Sequence, residues 1–170
     1  MTETNLDPAR MKTIVEACDR LATGLYLLSA SYDGDRAGIL ALGAHLCATE
    51  PLLICVPVRR GHRIEPLIRD SRAFAVSSVS PDDRSMRRRF ERYPPAEQYH
   101  DPFNAIGVLT LETGAPIPES SALAFDCEVV RHVDMDADHE LYIGRVVDAR
   151  LNGDAPAPTR ASLIGPLHLD

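Results

Sequence analysis

The segment Val58-Arg59-Arg60-Gly61-His62-Arg63 is the densest group of cationic side chains that directly follows an apolar segment. When a buried strand opens into a loop and a helix, backbone N–H groups point outward. Arginine can clamp an oxyanion there with two parallel hydrogen bonds. The segment therefore predicts an anion site, and a solvent-exposed basic turn is the alternative.

Two histidines are further candidates. Asp138-His139 stands at the start of a predicted strand, and a neighbouring carboxylate can hold a histidine in one tautomer ready to bond a ligand. The alternative is a loop histidine with no partner. His45, within an apolar run, is more typical of a core or interface residue.

Other chemistry is weakly supported. The arginines between Arg84 and Arg92 are interspersed with acids, which is typical of a solvated helix face with internal ion pairs. The four cysteines lack the spacing of a zinc site or redox dithiol and are interpreted as small buried hydrophobic residues. We predict no metal site, and the sequence has no nucleophile elbow, P-loop or Rossmann fingerprint.

Composition limits the class of protein. A chain of 170 residues suits one domain with a real core. The net charge of −7 argues against a nucleic-acid binder. We see no signal peptide and no apolar run long enough to span a bilayer, and therefore expect a cytoplasmic protein without membrane contacts.

The elements predict a mainly β fold. An N-terminal helix begins at Asp7-Pro8 and carries an apolar stripe that should face the core. About seven short strands follow, without helices regularly between them, and a second helix is expected to start at Ser80-Pro81. The predicted strands span 25–32, 38–46, 52–58, 73–79, 106–111, 122–133 and 140–151. We expect an antiparallel, closed or partly closed barrel with peripheral helices over residues 1–151, and a flexible arm over 152–170.

The order of several short segments resembles the flavin reductase-like family, the FMN-binding split β-barrels of antiparallel Greek-key type. The similarity covers roughly residues 14 to 151. The segments that carry it are Leu21 to Tyr26, Asp33-Gly34, Gly38, Glu50 to Val56, Ala73 to Val76, Phe90, Gly114-Ala115-Pro116, Ala122 to Glu128 and Asp138 to Val146.

The resemblance implies an NAD(P)H:flavin oxidoreductase that binds FMN, or else FAD, in a groove of a homodimer and supplies reduced flavin to a monooxygenase. His139 would lie beside the nicotinamide or the flavin ring. The implied flavin-binding residues are Ile39, Leu40, Ala41, Leu42, His45, Cys47, Ala48, Val58, Arg59, Arg60, His62 and Arg63.

The second strand departs from the family pattern. Ile39, Ala41 and Leu42 stand where hydroxyl or amide side chains usually bond the flavin phosphate. Two alternatives therefore stay open. One is a binding protein without reductase turnover that holds a flavin or a haem, with His45 and His139 as candidate iron ligands. The other is a mainly structural dimer that serves as a subunit for a partner.

Overall fold

A computed structural model describes residues 7–80, 82–91 and 100–152 of the chain. The strands are β1 (Leu25–Tyr32), β2 (Asp35–Leu42), β3 (His45–Thr49), β4 (Leu52–Arg59), β5 (Ala73–Ser78), β6 (Val108–Leu109), β7 (Ile117–Pro118), β8 (Leu123–Asp134) and β9 (His139–Leu151). The helices are α1 (Pro8–Cys18), α2 (Ile64–Ser71) and α3 (Arg84–Phe90), and a 3₁₀ turn spans Pro102–Ala105.

Seven strands form one antiparallel sheet in the order β2-β1-β5-β8-β9-β4-β3. The sheet curls so that β2 also contacts β4, which encloses a core that includes Leu28, Val56, Phe74 and Tyr142. The predicted antiparallel barrel with peripheral helices is therefore confirmed. Its open side lies between the two edge strands, β2 and β3, and every neighbouring pair of strands in this sheet is antiparallel.

Close packing at β9 explains one glycine. A Cβ on Gly144 would lie 2.6 Å from Phe74 Cζ and 2.7 Å from Cys127 Cβ. Real Cβ atoms do not approach neighbours this closely, so only glycine leaves room at this position of β9 for Phe74 of β5 and Cys127 of β8.

The prediction that the stripe on α1 faces the core is wrong. No residue of α1 is buried, and Met11, Ile14 and Val15 expose 43%, 40% and 51% of their surface. Asp7 and Pro8 nevertheless begin the helix as predicted, because the Asp7 carboxylate accepts a hydrogen bond from the Arg10 N–H. Local capping fixes where this helix begins, whereas tertiary contacts fix what its stripe packs against.

Several element boundaries also differ from the predictions. The run predicted as one strand, Gly38 to Leu46, is divided between β2 and β3. The helix predicted to start at Ser80-Pro81 begins at Arg84, capped by Asp83. The strand predicted over Ile106 to Leu111 contains only Val108–Leu109. The predicted C-terminal arm lies almost entirely outside the described residues, so its boundary stays a prediction.

Candidate functional site

The two edge strands meet at a tight connection, Gly43-Ala44. Gly43 has a φ of +99°, and a Cβ at that position would lie 2.9 Å from His45 Nε2. Its N–H donates to the Gly24 carbonyl at 3.1 Å. Glycine is therefore required twice, for the left-handed backbone and for the room that His45 occupies.

The predicted flavin-binding residues of β2 mostly point into the protein. Ile39 packs against the main core, and Ala41 is buried within it. Leu40 packs on a second apolar cluster that includes Phe90. Leu42 is 70% exposed at the end of the strand. On this edge strand, the exposed Leu42 and the backbone edge are the groups that face away from the core.

The predicted residues of β3 form a more open surface. His45, Leu46 and Cys47 are exposed, and Ala48 is half-buried. With Leu42 they form a mostly apolar edge, which we call the β2–β3 edge and define as Leu42, His45, Leu46, Cys47 and Ala48. Exposed leucines at a sheet edge are a surface that a ligand or another chain can cover.

The fold brings the arginine turn and Asp138-His139 together. Arg59, the last residue of β4, is the register partner of His139, the first residue of β9. The Arg60 N–H donates to the Asp138 carbonyl at 3.0 Å. We call this the β4–β9 end and define it as residues 59–63 with Asp138 and His139. His139 thus lies beside Arg59, four residues along β4 from the partner of His45.

Most charges at the β4–β9 end already have partners. Arg60 forms salt bridges with Asp134 and, at 3.6 Å, with Glu140. Arg63 reaches Asp35 at 3.5 Å. Such pairs reduce the positive potential that a ligand anion would meet.

The turn itself also holds an acid. The Gly61 N–H donates to Glu65 Oε2 at 2.7 Å, so a carboxylate of the chain already accepts this amide. Arg59 is exposed and forms no salt bridge with the part of the chain that the structure describes. Arg59 is therefore the guanidinium most open to an external anion.

His62 has a structural environment. It is 8% exposed, and its Nδ1 accepts a hydrogen bond from the Ile64 N–H at 3.1 Å, at the start of α2. Burial lowers the pKa of His62 to about 4. The ring is neutral at pH 7 and caps α2, so it adds no positive charge for a phosphate.

His139 is held by its neighbour, as the sequence predicts. Its Nδ1 lies 3.1 Å from Asp138 Oδ1, and 42% of its side chain stays exposed. The hydrogen bond from His139, and then its charge, lower the pKa of Asp138. The pair leaves Nε2 of the ring as the atom able to meet a ligand. Val58, in contrast, is a core residue with 1% exposure.

A polar network behind the β4–β9 end contains residues that the sequence interpretation missed. Glu140 is 9% exposed in its side chain, and its Oε2 lies 2.7 Å from His132 Nε2. The rings of His132 and Tyr142 stack with centroids 4.6 Å apart. Burial, followed by the charge of Glu140, raises the pKa of Tyr142 to about 12. The only sequence signal was an acidic residue at an inward position of a strand.

The basic helix α3 agrees with the simpler interpretation. Arg87 and Glu91 form an i,i+4 pair at 3.8 Å.

No helix in the described ranges is long and apolar enough to cross a membrane. Within those same ranges, no cluster of three or more His, Cys, Asp or Glu side chains is placed to hold a metal ion.

The geometry therefore defines two poles along β4, which pairs with β3 on one side and with β9 on the other. The β2–β3 edge is apolar, and the β4–β9 end offers Arg59 and His139. Arg59 lies four residues beyond Cys55, the register partner of His45, which is roughly 13 Å at about 3.3 Å per residue. An elongated ligand with an apolar part and an anionic part suits this arrangement.

Comparison with known proteins identifies the family. The family model described as flavin reductase like domain matches residues 18–167, and the chain therefore belongs to the flavin reductase-like family. The solved structure of nitrilotriacetate monooxygenase component B from Mycobacterium thermoresistibile superposes with a TM-score of 0.75 at 20% identity, covering 87% of this chain and 79% of that one. At this identity the likeness shows the fold.

Two relatives of known sequence are also similar. A diflavin flavoprotein of Synechocystis sp. is 30% identical over 150 residues, which are 87% of this chain and 25% of that protein. This chain thus spans about a quarter of the length of that relative. A ferric-chelate reductase (NAD(P)H) of Archaeoglobus fulgidus is 27% identical over 151 residues, covering 86% of each protein.

Proposed function

We propose that this protein is a homodimeric NAD(P)H:flavin oxidoreductase that binds FMN across the two poles of the site. Membership of the flavin reductase-like family supports the flavin, and the name of the archaeal relative supports the nicotinamide co-substrate. The observation that carries the proposal is that β4 connects the exposed apolar β2–β3 edge, through its pairing with β3, to Arg59 and His139, through its pairing with β9.

The residues fit FMN in a particular way. Leu42 and Leu46 offer apolar surface to a flat ring, and Arg59 offers a charge-assisted hydrogen bond to a phosphate. Arg60, His62 and Arg63, which the family resemblance implies as flavin-binding residues, would here shape the turn beside the phosphate rather than contact it. Arg60 and Arg63 hold acidic partners, and His62 caps α2.

Flavin supplies the redox chemistry in such a site, by accepting a hydride from a reduced nicotinamide and passing electrons on. The side chains here would bind and orient. Asp138 would keep His139 in one tautomer, with Nε2 facing the nicotinamide or the flavin. The resemblance further implies that the reduced flavin serves a monooxygenase, which we include in the proposal.

The homodimer is supported by exposed apolar surface. The α1 stripe of Met11, Ile14 and Val15 is uncovered, as are Leu42 and Leu46 of the β2–β3 edge. A second copy of the chain covering these groups would remove them from water and complete a groove along the open side. Sedimentation of the full chain tests this; a monomer at micromolar concentration contradicts it.

Flavin titration of Arg59 variants tests the site. Arg59→Ala should weaken FMN binding about tenfold, since a charge-assisted hydrogen bond to phosphate is worth ~1.5 kcal/mol or more. Riboflavin lacks the phosphate, so its affinity should change much less. Arg84→Ala removes an exposed arginine from α3 and is the matched control. Equal losses for FMN and riboflavin would contradict a phosphate role for Arg59.

The activity itself needs a separate assay. The purified protein with added FMN should oxidise NADH or NADPH, and FAD in place of FMN tests the choice of flavin. His139→Ala should lower kcat/KM for the nicotinamide while FMN affinity changes little. A protein that binds FMN but oxidises neither nicotinamide would refute the oxidoreductase and favour the binding protein.

A further inference from the structure

The hairpin of β3 and β4 contains an irregularity at Cys47. His45 pairs with Cys55 and Leu46 with Ile54, but the next pair is Ala48 with Leu53, so the register shifts at Cys47. In such a β-bulge, two residues of one strand face a single residue of the other. Cys47 therefore turns toward the part of β4 that carries Leu53 and Cys55.

The contacts agree with this geometry. The Cys47 thiol donates to the Leu53 carbonyl at 3.4 Å. Cys55 lies two residues further along β4 and pairs with His45, two residues before Cys47. The two cysteines are therefore neighbours across the hairpin, and Cys47 contributes to the raised pKa of Cys55. The interpretation of the four cysteines as small buried hydrophobic residues is wrong for Cys18 and Cys47, which are exposed, and holds for Cys127, which is buried.

The two thiols differ in environment. Cys47 is exposed, whereas Cys55 is half-buried. Burial, followed by the neighbouring Cys47, raises the pKa of Cys55. An external oxidant therefore reaches Cys47 first, and Cys55 is placed to react with whatever forms there. Cys18 is exposed and Cys127 is buried.

We propose that Cys47 and Cys55 form a redox-active thiol pair that hydrogen peroxide converts into a disulfide linking β3 to β4. The Cys47 thiolate attacks one peroxide oxygen and the O–O bond breaks, which leaves a sulfenic acid on Cys47. The departing hydroxide takes up the proton that the thiol released and leaves as water. The Cys55 sulfur then attacks the Cys47 sulfur, the S–O bond breaks, and a second water leaves. Two thiols are oxidised by two electrons and one peroxide is reduced.

The position of the pair gives the modification a consequence. Cys47 belongs to the β2–β3 edge, so a disulfide there changes the surface that we assign to the flavin. This effect on the flavin surface rests on the proposed function. The proposed function also supplies hydrogen peroxide as the oxidant, because reduced flavin released into air reduces oxygen to peroxide. The thiol pair itself depends only on the β3–β4 geometry.

The test uses the full chain without flavin. Trypsin releases residues 37–59 as one peptide, because Arg36 and Arg59 flank a stretch without Lys or Arg. After peroxide treatment and alkylation, this peptide should lose two hydrogen atoms and take up no alkyl group. Dithiothreitol should restore both alkylation sites. The protein should lose two of its four thiols.

Variants separate the two cysteines. Cys55→Ser should stop the reaction at the sulfenic acid, which dimedone traps on Cys47, and Cys47→Ser should leave Cys55 reduced. Cys18→Ser is the control and should form the disulfide as the wild type does. The proposal is overturned if peptide 37–59 of the wild type stays fully alkylated while Cys18 oxidises. It is equally overturned if dimedone labels Cys47 of the wild type with no disulfide.

A second experiment concerns the source of peroxide. During NADH oxidation with FMN in air, the disulfide should accumulate, and catalase should suppress it by at least about tenfold. If added peroxide forms the disulfide but NADH oxidation does not, the redox-active thiol pair is supported and the flavin is rejected as the source of the peroxide. If no NADH is oxidised at all, the proposed function fails and the flavin-free result is unaffected.

Discussion

Protonation of His62 should couple the stability of the barrel to pH. The Nδ1 of His62 accepts the Ile64 N–H at 3.1 Å, so a proton on that nitrogen would break the bond that caps α2. The ring is also buried, and burial lowers its pKa from 6.5 to about 4. An unfolded chain therefore binds this proton more tightly than the folded chain does.

The sign follows from that difference. The stabilising contribution is complete above pH 6.5, where neither state is protonated, and is lost as the pH falls toward 4. Linkage over this interval gives a loss of about 2 kcal/mol between pH 7 and pH 5. For a domain of this size, that loss lowers Tm by roughly 4–8 °C.

The perturbation is His62→Asn. The Asn side-chain oxygen can occupy the place of Nδ1 and accept the same N–H, but it does not titrate. Chemical denaturation of both proteins at pH 7, 6 and 5 measures the free energy of unfolding. The difference between them should change by about 2 kcal/mol over this range, in favour of the variant at low pH.

His45→Asn is the control, because His45 is exposed on the β2–β3 edge. This variant keeps His62 and its bond to the Ile64 N–H, so the pH dependence that His62 causes should remain. Parallel profiles for wild type and His62→Asn would refute the reasoning, since they would mean that His62 has the same proton affinity in the folded and unfolded chains. Comparing variants cancels the contribution of the carboxylates, which also titrate in this range.

Three further predictions concern packing and assembly. Gly144→Ala should lower the free energy of unfolding by about 3 kcal/mol, because its Cβ would overlap Phe74 and Cys127. A decrease under about 1 kcal/mol would contradict this packing. Glu140→Gln should lower the free energy of unfolding by about 2 kcal/mol, because it weakens the bonds to His132 and Arg60. The control Asp148→Asn, on the exposed face of β9, should lower it by less than about 0.5 kcal/mol. Ile14→Glu on α1 should shift sedimentation toward the monomer with little effect on Tm of the isolated subunit, since Ile14 is exposed and belongs to none of the core clusters; an unchanged dimer would exclude α1 from the interface.

Local patterns predicted much of the fold. Alternation and length gave β1, β4, β5, β8 and β9 to within a residue or two at most ends. The reason is that a half-buried strand carries its own period of two, and each turn carries its own Gly, Asp or Pro. Such signals are read from neighbouring residues and need no knowledge of distant partners.

Boundaries within apolar runs were not predictable in the same way. The run from Gly38 to Leu46 has no polar residue before His45, and the break at Gly43 follows from its bond to Gly24 and from the bulk of His45. The exposed α1 stripe is a similar case. An apolar periodicity shows that a face will be covered but does not show by which surface.

The sequence by itself determined the antiparallel barrel, its family and the list of groups able to do chemistry. Tertiary structure decided which of those groups remain available. Pairing of β4 with β9 sets Arg59 beside His139, while Arg60 and Arg63 are neutralised by acids distant in sequence. A bulge in β3 sets Cys47 against Leu53, two residues before Cys55 on the facing strand. Charge pairing, burial and thiol contact depend on distances between segments far apart in the chain, and only the folded sheet fixes those distances.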